Sequence, residues 1–107
     1  MEFTELNAFI DFEDQYLHNL YGGYPDEEKR VLARTVKLTE EIGELCNEVL
    51  MYNALQRKQK LESHDKDNLP AEFADVLLAT LLLAKAMHVD IEQALTQKIA
   101  TIRARQQ

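Results

Sequence analysis

The chain has 107 residues, 46% of them apolar, a formal net charge of −7, and only three Gly and two Pro. That length supports one core and a single domain spanning residues 1–107, and the composition excludes a disordered or repeat-built chain. The acidic balance counts against a nucleic-acid backbone or an anionic membrane as the main partner.

Four helices are expected, in an all-α bundle. The first runs from Thr4 to Leu20, with Leu6, Phe9, Ile10, Leu17 and Leu20 on its apolar side, and Tyr21-Gly22-Gly23-Tyr24-Pro25 ends it in a turn. Asp26 is placed to cap a second helix, with Glu27 and Glu28 in the favourable first turn. Helical pattern continues to about Lys60. Val31, Thr35, Leu38, Ile42, Leu45, Val49 and Tyr52 alternate four- and three-residue steps, the spacing of a bundle seam. The polar stretch from Gln56 to Asn68 is expected to open into a loop. Pro70 suits the first turn of a third helix to about Met87, and Asp90 caps a last helix from Ile91 to Arg105. Apolar residues run nearly all round the third helix, which requires cover on every side; in so small a chain this predicts an oligomer. The most apolar run, Val76 to Ala84, is far short of the roughly 20 residues that span a bilayer. With a lone cysteine, Cys46, and no basic-then-apolar N-terminal segment, a soluble cytoplasmic protein is expected.

Two acidic clusters carry the chemistry. Glu41 and Glu44 stand one helical turn apart, preceded by Glu40; Glu72 and Asp75 repeat the spacing on the third helix, in line with Val76, Ala79, Leu82, Leu83 and Ala86. A lone acidic triplet is ordinarily a solvated face. Two i, i+3 pairs on two helices, one of them on a core stripe, are costly to bury unless a cation lies between them. Antiparallel packing would bring all four carboxylates together. Their hard oxygen ligands, with no His or Cys nearby, favour Mg²⁺ or Mn²⁺ over zinc or copper. Neither cluster has the Glu-x-x-His step of di-iron bundles.

The run Lys37-Leu38-Thr39-Glu40-Glu41-Ile42-Gly43-Glu44-Leu45, followed after Leu45–Ala71 by Glu72-Phe73-Ala74-Asp75-Val76-Leu77, resembles the signature of the all-α nucleoside triphosphate pyrophosphohydrolases, the MazG-like superfamily. The resemblance covers about Leu32 to Arg105. It implies a helical bundle assembled as a homodimer or homotetramer that uses Mg²⁺ to hydrolyse an NTP or dNTP to its monophosphate and pyrophosphate. Carried over by position, Glu41, Glu44, Glu72 and Asp75 would hold the metal, and Glu40, with Glu41, would act on the attacking water. Lys98 and Arg105 match family positions that contact phosphate, but Ile102 stands where Asn is often found, which leaves sugar and phosphate contacts open. Lys37 and Arg34 are further cations, expected to be solvated. Phe12 and Tyr16, beside Phe9 on the first helix, are candidates to stack on a base. The rival reading is a non-catalytic helical module that binds metal or nucleotide in a regulatory role.

Overall fold

The computed structural model describes residues 1–20, 23, 26–53 and 68–106, and they form helices and their connections with no strand. We label the helices α1 (Phe3–Leu20), α2 (Glu27–Tyr52), α3 (Asn68–Ala86) and α4 (Ile91–Arg105). The helical pattern expected between Asn53 and Lys60, the loop expected beyond it, and most of the glycine–proline turn lie outside the described residues.

The helix ends follow local chemistry. Asp26 Oδ1 accepts a 2.8 Å hydrogen bond from the Lys29 amide and Asp90 Oδ1 one of 3.0 Å from Gln93, each satisfying a donor that the first turn leaves open. Asn53 closes α2, its side-chain amide donating to the Val49 carbonyl. Past α1, Gly23 adopts φ +80°, with the His18 imidazole 3.2 Å from where a Cβ would stand, so a side chain there would be strained. At the end of α3, His88 takes the left-handed position (φ 58°) that glycine usually fills; Val89 N–H donates to the Ala84 carbonyl and His88 N–H to that of Lys85, the paired bonds of a Schellman cap.

The α2–α3 contact is the largest between helices, and α1 lies more lightly on α3. The two partners run antiparallel: Glu27, at the start of α2, lies 3.9 Å from His88, just past the end of α3, whereas Glu41 lies beside Asp75 near the start of α3. The stripe predicted on α3 is its inner face, with Ala79 and Ala86 buried and Val76, Leu82 and Leu83 half-buried. The seam predicted on α2 holds in part. Val31, Leu38 and Leu45 are half-buried, whereas Thr35, Ile42, Val49 and Tyr52 are exposed, and Arg34, Glu41, Glu48 and Met51 are the buried positions. The buried row mixes charged with apolar side chains, and a count of apolar residues alone passes over the charged ones. The core is thin: among the described residues the buried apolar side chains are Ile10, Met51, Ala79, Ala84 and Ala86, and none of the large ones is fully enclosed.

Candidate functional site

Two turns of α2 face one turn of α3 and bring acids from both helices together. One carboxylate oxygen from each of Glu41, Glu72 and Asp75 falls within a common span of 4.8 Å. Glu41 is buried, Glu72 half-buried and Asp75 exposed, so the cluster reaches from the seam to its rim. The buried Oε2 atoms of Glu41 and of Glu72 accept no hydrogen bond. A carboxylate oxygen removed from water with no donor is costly, and a cation with a preference for oxygen removes that cost. The donor set is all carboxylate, and it therefore fits a hard divalent ion such as Mg²⁺.

Glu44, one turn from Glu41, is exposed and lies outside the 4.8 Å group. Its charge still reaches the cluster. Burial raises the Glu72 carboxyl above its usual range, and the charge of Glu44, followed by those of Asp75, Glu41 and Glu48, raises it further. The Glu44 carboxyl is itself raised, chiefly by the charge of Glu41, with desolvation and Glu40 adding to the effect and Lys37 opposing it. Each group resists ionising beside the others, the signature of like charges sharing one place.

Lys37 is a cation set against the acids of α2. Its Nζ lies 3.1 Å from Glu41 Oε1 and 3.5 Å from Glu40 Oε1. The hydrogen bond to Glu41 is the chief cause that holds its ammonium above the ordinary lysine value. The Lys37 side chain is exposed, as expected, and also lines the edge of the cluster through Glu41. Glu40 is exposed on the outer side of this pair.

A cavity of about 290 Å³ adjoins the acids. Helix α1 contributes Phe9, Glu13 and Leu17 and α2 contributes Arg34, Lys37 and Glu41, while Asp75, Leu78 and Leu82 of α3 form the remaining wall. The lining thus combines charged side chains with the apolar ones of all three helices. Arg34 departs from the sequence expectation: it is 6% exposed. Asp14 of α1 holds it at 3.3 Å and Arg30 at 2.7 Å. Burial pushes the Asp14 carboxyl up, but its bonds to Arg30 and Arg34 and their charges together hold it below the usual carboxylate value.

Of the other residues singled out in the sequence, Phe12 and Tyr16 are exposed on α1 and do not line this cavity; Phe9 and Leu17, on the adjacent face, do. Lys98 and Arg105 project from α4, a helix without a buried residue, and are not among the cavity's lining residues in a single chain. Sequence reasoning missed Glu48, which is buried one turn beyond Glu44 and contributes to the field at Glu72. The spacing Glu41, Glu44, Glu48 continues the four- and three-residue alternation and was the available signal.

Fold and site together define a helical bundle with an all-carboxylate, cation-seeking centre beside a cavity. The model of the MazG nucleotide pyrophosphohydrolase domain matches residues 30–107, and the chain belongs to that family. It is also 32% identical over 81 residues to the uncharacterized protein YpjD of Bacillus subtilis (strain 168), covering 76% of this chain and 68% of that protein. No solved structure matches the chain.

Proposed function

We propose that this protein is a Mg²⁺-dependent nucleotide pyrophosphohydrolase that splits a nucleoside triphosphate into its monophosphate and pyrophosphate, removing unwanted nucleotides from the pool. The observation that carries the reading is the trio of carboxylates from α2 and α3, whose buried oxygens on Glu41 and Glu72 accept no hydrogen bond, in a chain of this family. Glu41, Glu72 and Asp75 would hold the ion, with Glu44 completing the set from the rim. When bound, the ion neutralises phosphate charge and lowers the pKa of a coordinated water. Glu40, exposed beside Glu41, would accept a proton from the attacking water. Lys37, already at the cluster mouth, offers a positive charge to phosphate oxygens once the acids have another partner. The walls of Phe9, Leu17, Leu78 and Leu82 suit the nucleoside and exclude water from its base.

Assembly belongs to the same reading. Leu77 is 64% exposed, Phe73 51%, Leu95 47% and Ile99 46%, too much apolar surface on α3 and α4 to leave to water. A second copy of the chain would cover it, in a homodimer or homotetramer, and would give α4, with Lys98 and Arg105, a site to reach. Incubation with a panel of ribo- and deoxyribonucleoside triphosphates and Mg²⁺ tests the activity. Pyrophosphate and monophosphate in equal amounts are expected. Release of inorganic phosphate alone, or no product from any nucleotide, would overturn it.

A further inference from the structure

Lys37 is set against two carboxylates of its own helix. Its Nζ lies 3.1 Å from Glu41 Oε1 and 3.5 Å from Glu40 Oε1, and Lys37 joins Glu41 and Asp75 in the cavity wall. An i, i+4 ion pair on a helix ordinarily does no more than add a little helix stability. Here the order is lysine before glutamate, the less stabilising of the two. The partners are also unequal, the Glu41 side chain being 10% exposed and that of Lys37 54%. A mostly buried carboxylate, one of three with an oxygen inside a common span of 4.8 Å, thus has its counter-charge on a long stem that is half in water. That stem is flexible, so the ammonium can leave Glu41 by rotating it, with no change in the backbone.

Resting on the nucleotide reading above, we propose that Lys37 is an exchangeable counter-charge that couples the two ligands of the site, the divalent ion and the polyphosphate. With no divalent ion on the acids, the ammonium neutralises Glu41. An ion that takes Glu41 has to compete with it, since two cations on one carboxylate repel each other. Once displaced, Lys37 turns to the polyphosphate, whose oxygens replace the negative charge it has left, and its place in the cavity wall keeps it within reach. The same side chain therefore weakens ion binding when nucleotide is absent and strengthens nucleotide binding when the ion is present. Removing its charge has effects of opposite sign on the two, which a pair that only stabilises the helix does not produce.

Two binding measurements test the exchange without turnover. Lys37→Met keeps most of the stem and removes the charge, at an exposed position where folding is not at stake. Titration with Mn²⁺ in the absence of nucleotide, read from the electron paramagnetic resonance of the free ion, should show this variant binding about two- to fivefold more tightly than the wild type, within the range that an exposed ion pair spans. Calorimetry with the α,β-methylene analogues of ATP, GTP, CTP and UTP in saturating Mg²⁺ should show every analogue that the wild type holds bound about tenfold more weakly, as the loss of one charge-assisted hydrogen bond gives. Lys37→Arg, which keeps a mobile positive charge, should keep both affinities close to those of the wild type. Lys29→Met removes the same charge from an exposed position about 12 Å along α2, beyond the screening length at physiological salt, and should move neither. Mn²⁺ affinity unchanged or weakened in Lys37→Met overturns the proposal, as does unchanged analogue affinity, or an equal tightening in Lys29→Met, which would trace the gain to net charge. Both shifts as expected but no pyrophosphate from the natural nucleotides would overturn the catalytic reading and leave the exchange intact; a wild type that binds no Mn²⁺, or none of the analogues, overturns both.

Discussion

The two ends of the α2–α3 seam both draw charges out of water, and they stabilise them differently. At the end near Arg34, Asp14 lies between two guanidiniums at 2.7 and 3.3 Å, so the chain supplies its own counter-charge. At the other end Glu41, Glu48 and Glu72 gather with Asp75, and on the cavity side Lys37 is the cation at hand, bound to one oxygen of Glu41. Opposite charges paired internally form part of the architecture and hold α1 to α2. At the acid end burial, with the charges of Glu44, Asp75, Glu41 and Glu48, raises the Glu72 carboxyl, and its ionisation lowers the stability of the metal-free fold. The second arrangement is one that a bound cation would relieve. Burial alone does not distinguish the two ends; the sign of the neighbours does.

Neutralising an acid at the acid-rich end should give the largest effect. Glu41→Gln or Asp75→Asn should lower turnover by about 10²–10³-fold, the scale seen when one preorganised charge-stabilising group is removed, while circular dichroism stays helical. Glu92, exposed in the first turn of α4, should tolerate the same change to Gln. Equal activity in both site variants would make the two ends of the seam alike and remove the catalytic assignment.

Metal sharpens the comparison next. Mg²⁺ should raise the melting temperature, since it binds the folded site and has little affinity for the unfolded chain. At a free concentration 100-fold above Kd the gain is about 2.7 kcal/mol. In EDTA, Glu72→Gln should be as stable as the wild type or more so, because it removes one of several repelling charges, and it should lose most of the gain from Mg²⁺. Asp14→Ala should do the reverse: leave the response to Mg²⁺ in place and destabilise the protein by about 1–3 kcal/mol, as expected when a largely buried ion pair loses its carboxylate. Thermal melts of the three proteins with and without metal decide the point. Destabilisation of the metal-free protein by Glu72→Gln would show that the acids are internally satisfied.

Much of this was legible before any coordinates, and the parts that were not share a cause. The caps at Asp26 and Asp90 and the stripe on α3 depend on residues within one or two turns, so the local sequence determines them. The acidic pairs were legible because their spacing and their place on that stripe are properties of each helix alone. The α2 seam was legible only at Val31, Leu38 and Leu45. Its inner row carries Arg34, Glu41 and Glu48, and only packing against Asp14 on α1 and the acids on α3 makes those positions interior. The same holds for α1, where Phe9, Glu13 and Leu17 rather than Phe12 and Tyr16 face the cavity. How a helix is rotated on its neighbour is decided by the neighbour, and the periodicity of α1 offers more than one workable face. Arg34 was expected to be solvated because nothing within its own helix indicates the carboxylate on α1 that makes burial tolerable.

The smallest predicted effect is a pH response of opposite sign at the two ends. The folded pKa of Asp14 lies below its ordinary 3.8, so its contribution is present above that value and is lost as pH falls through the folded value. Glu72 and Glu44 have folded pKa values above their ordinary 4.5. Their ionisation therefore opposes folding of the metal-free chain at neutral pH. Stability lost as pH rises past 4.5 through those raised values is recovered when the solution is acidified back through the same window. In EDTA, lowering the pH from 7 toward 4.5 should accordingly raise the melting temperature slightly, and lowering it further, below 3.8, should reduce it. Saturating Mg²⁺ should remove the first limb, because a bound ion keeps the acids ionised without repulsion, and should turn it into a loss as protons compete for the same oxygens. Asp14→Asn should flatten the second limb and leave the first, and Glu72→Gln should reduce the first and leave the second. A metal-free protein whose stability falls steadily from pH 7 would place ordinary, internally paired carboxylates at both ends of the seam.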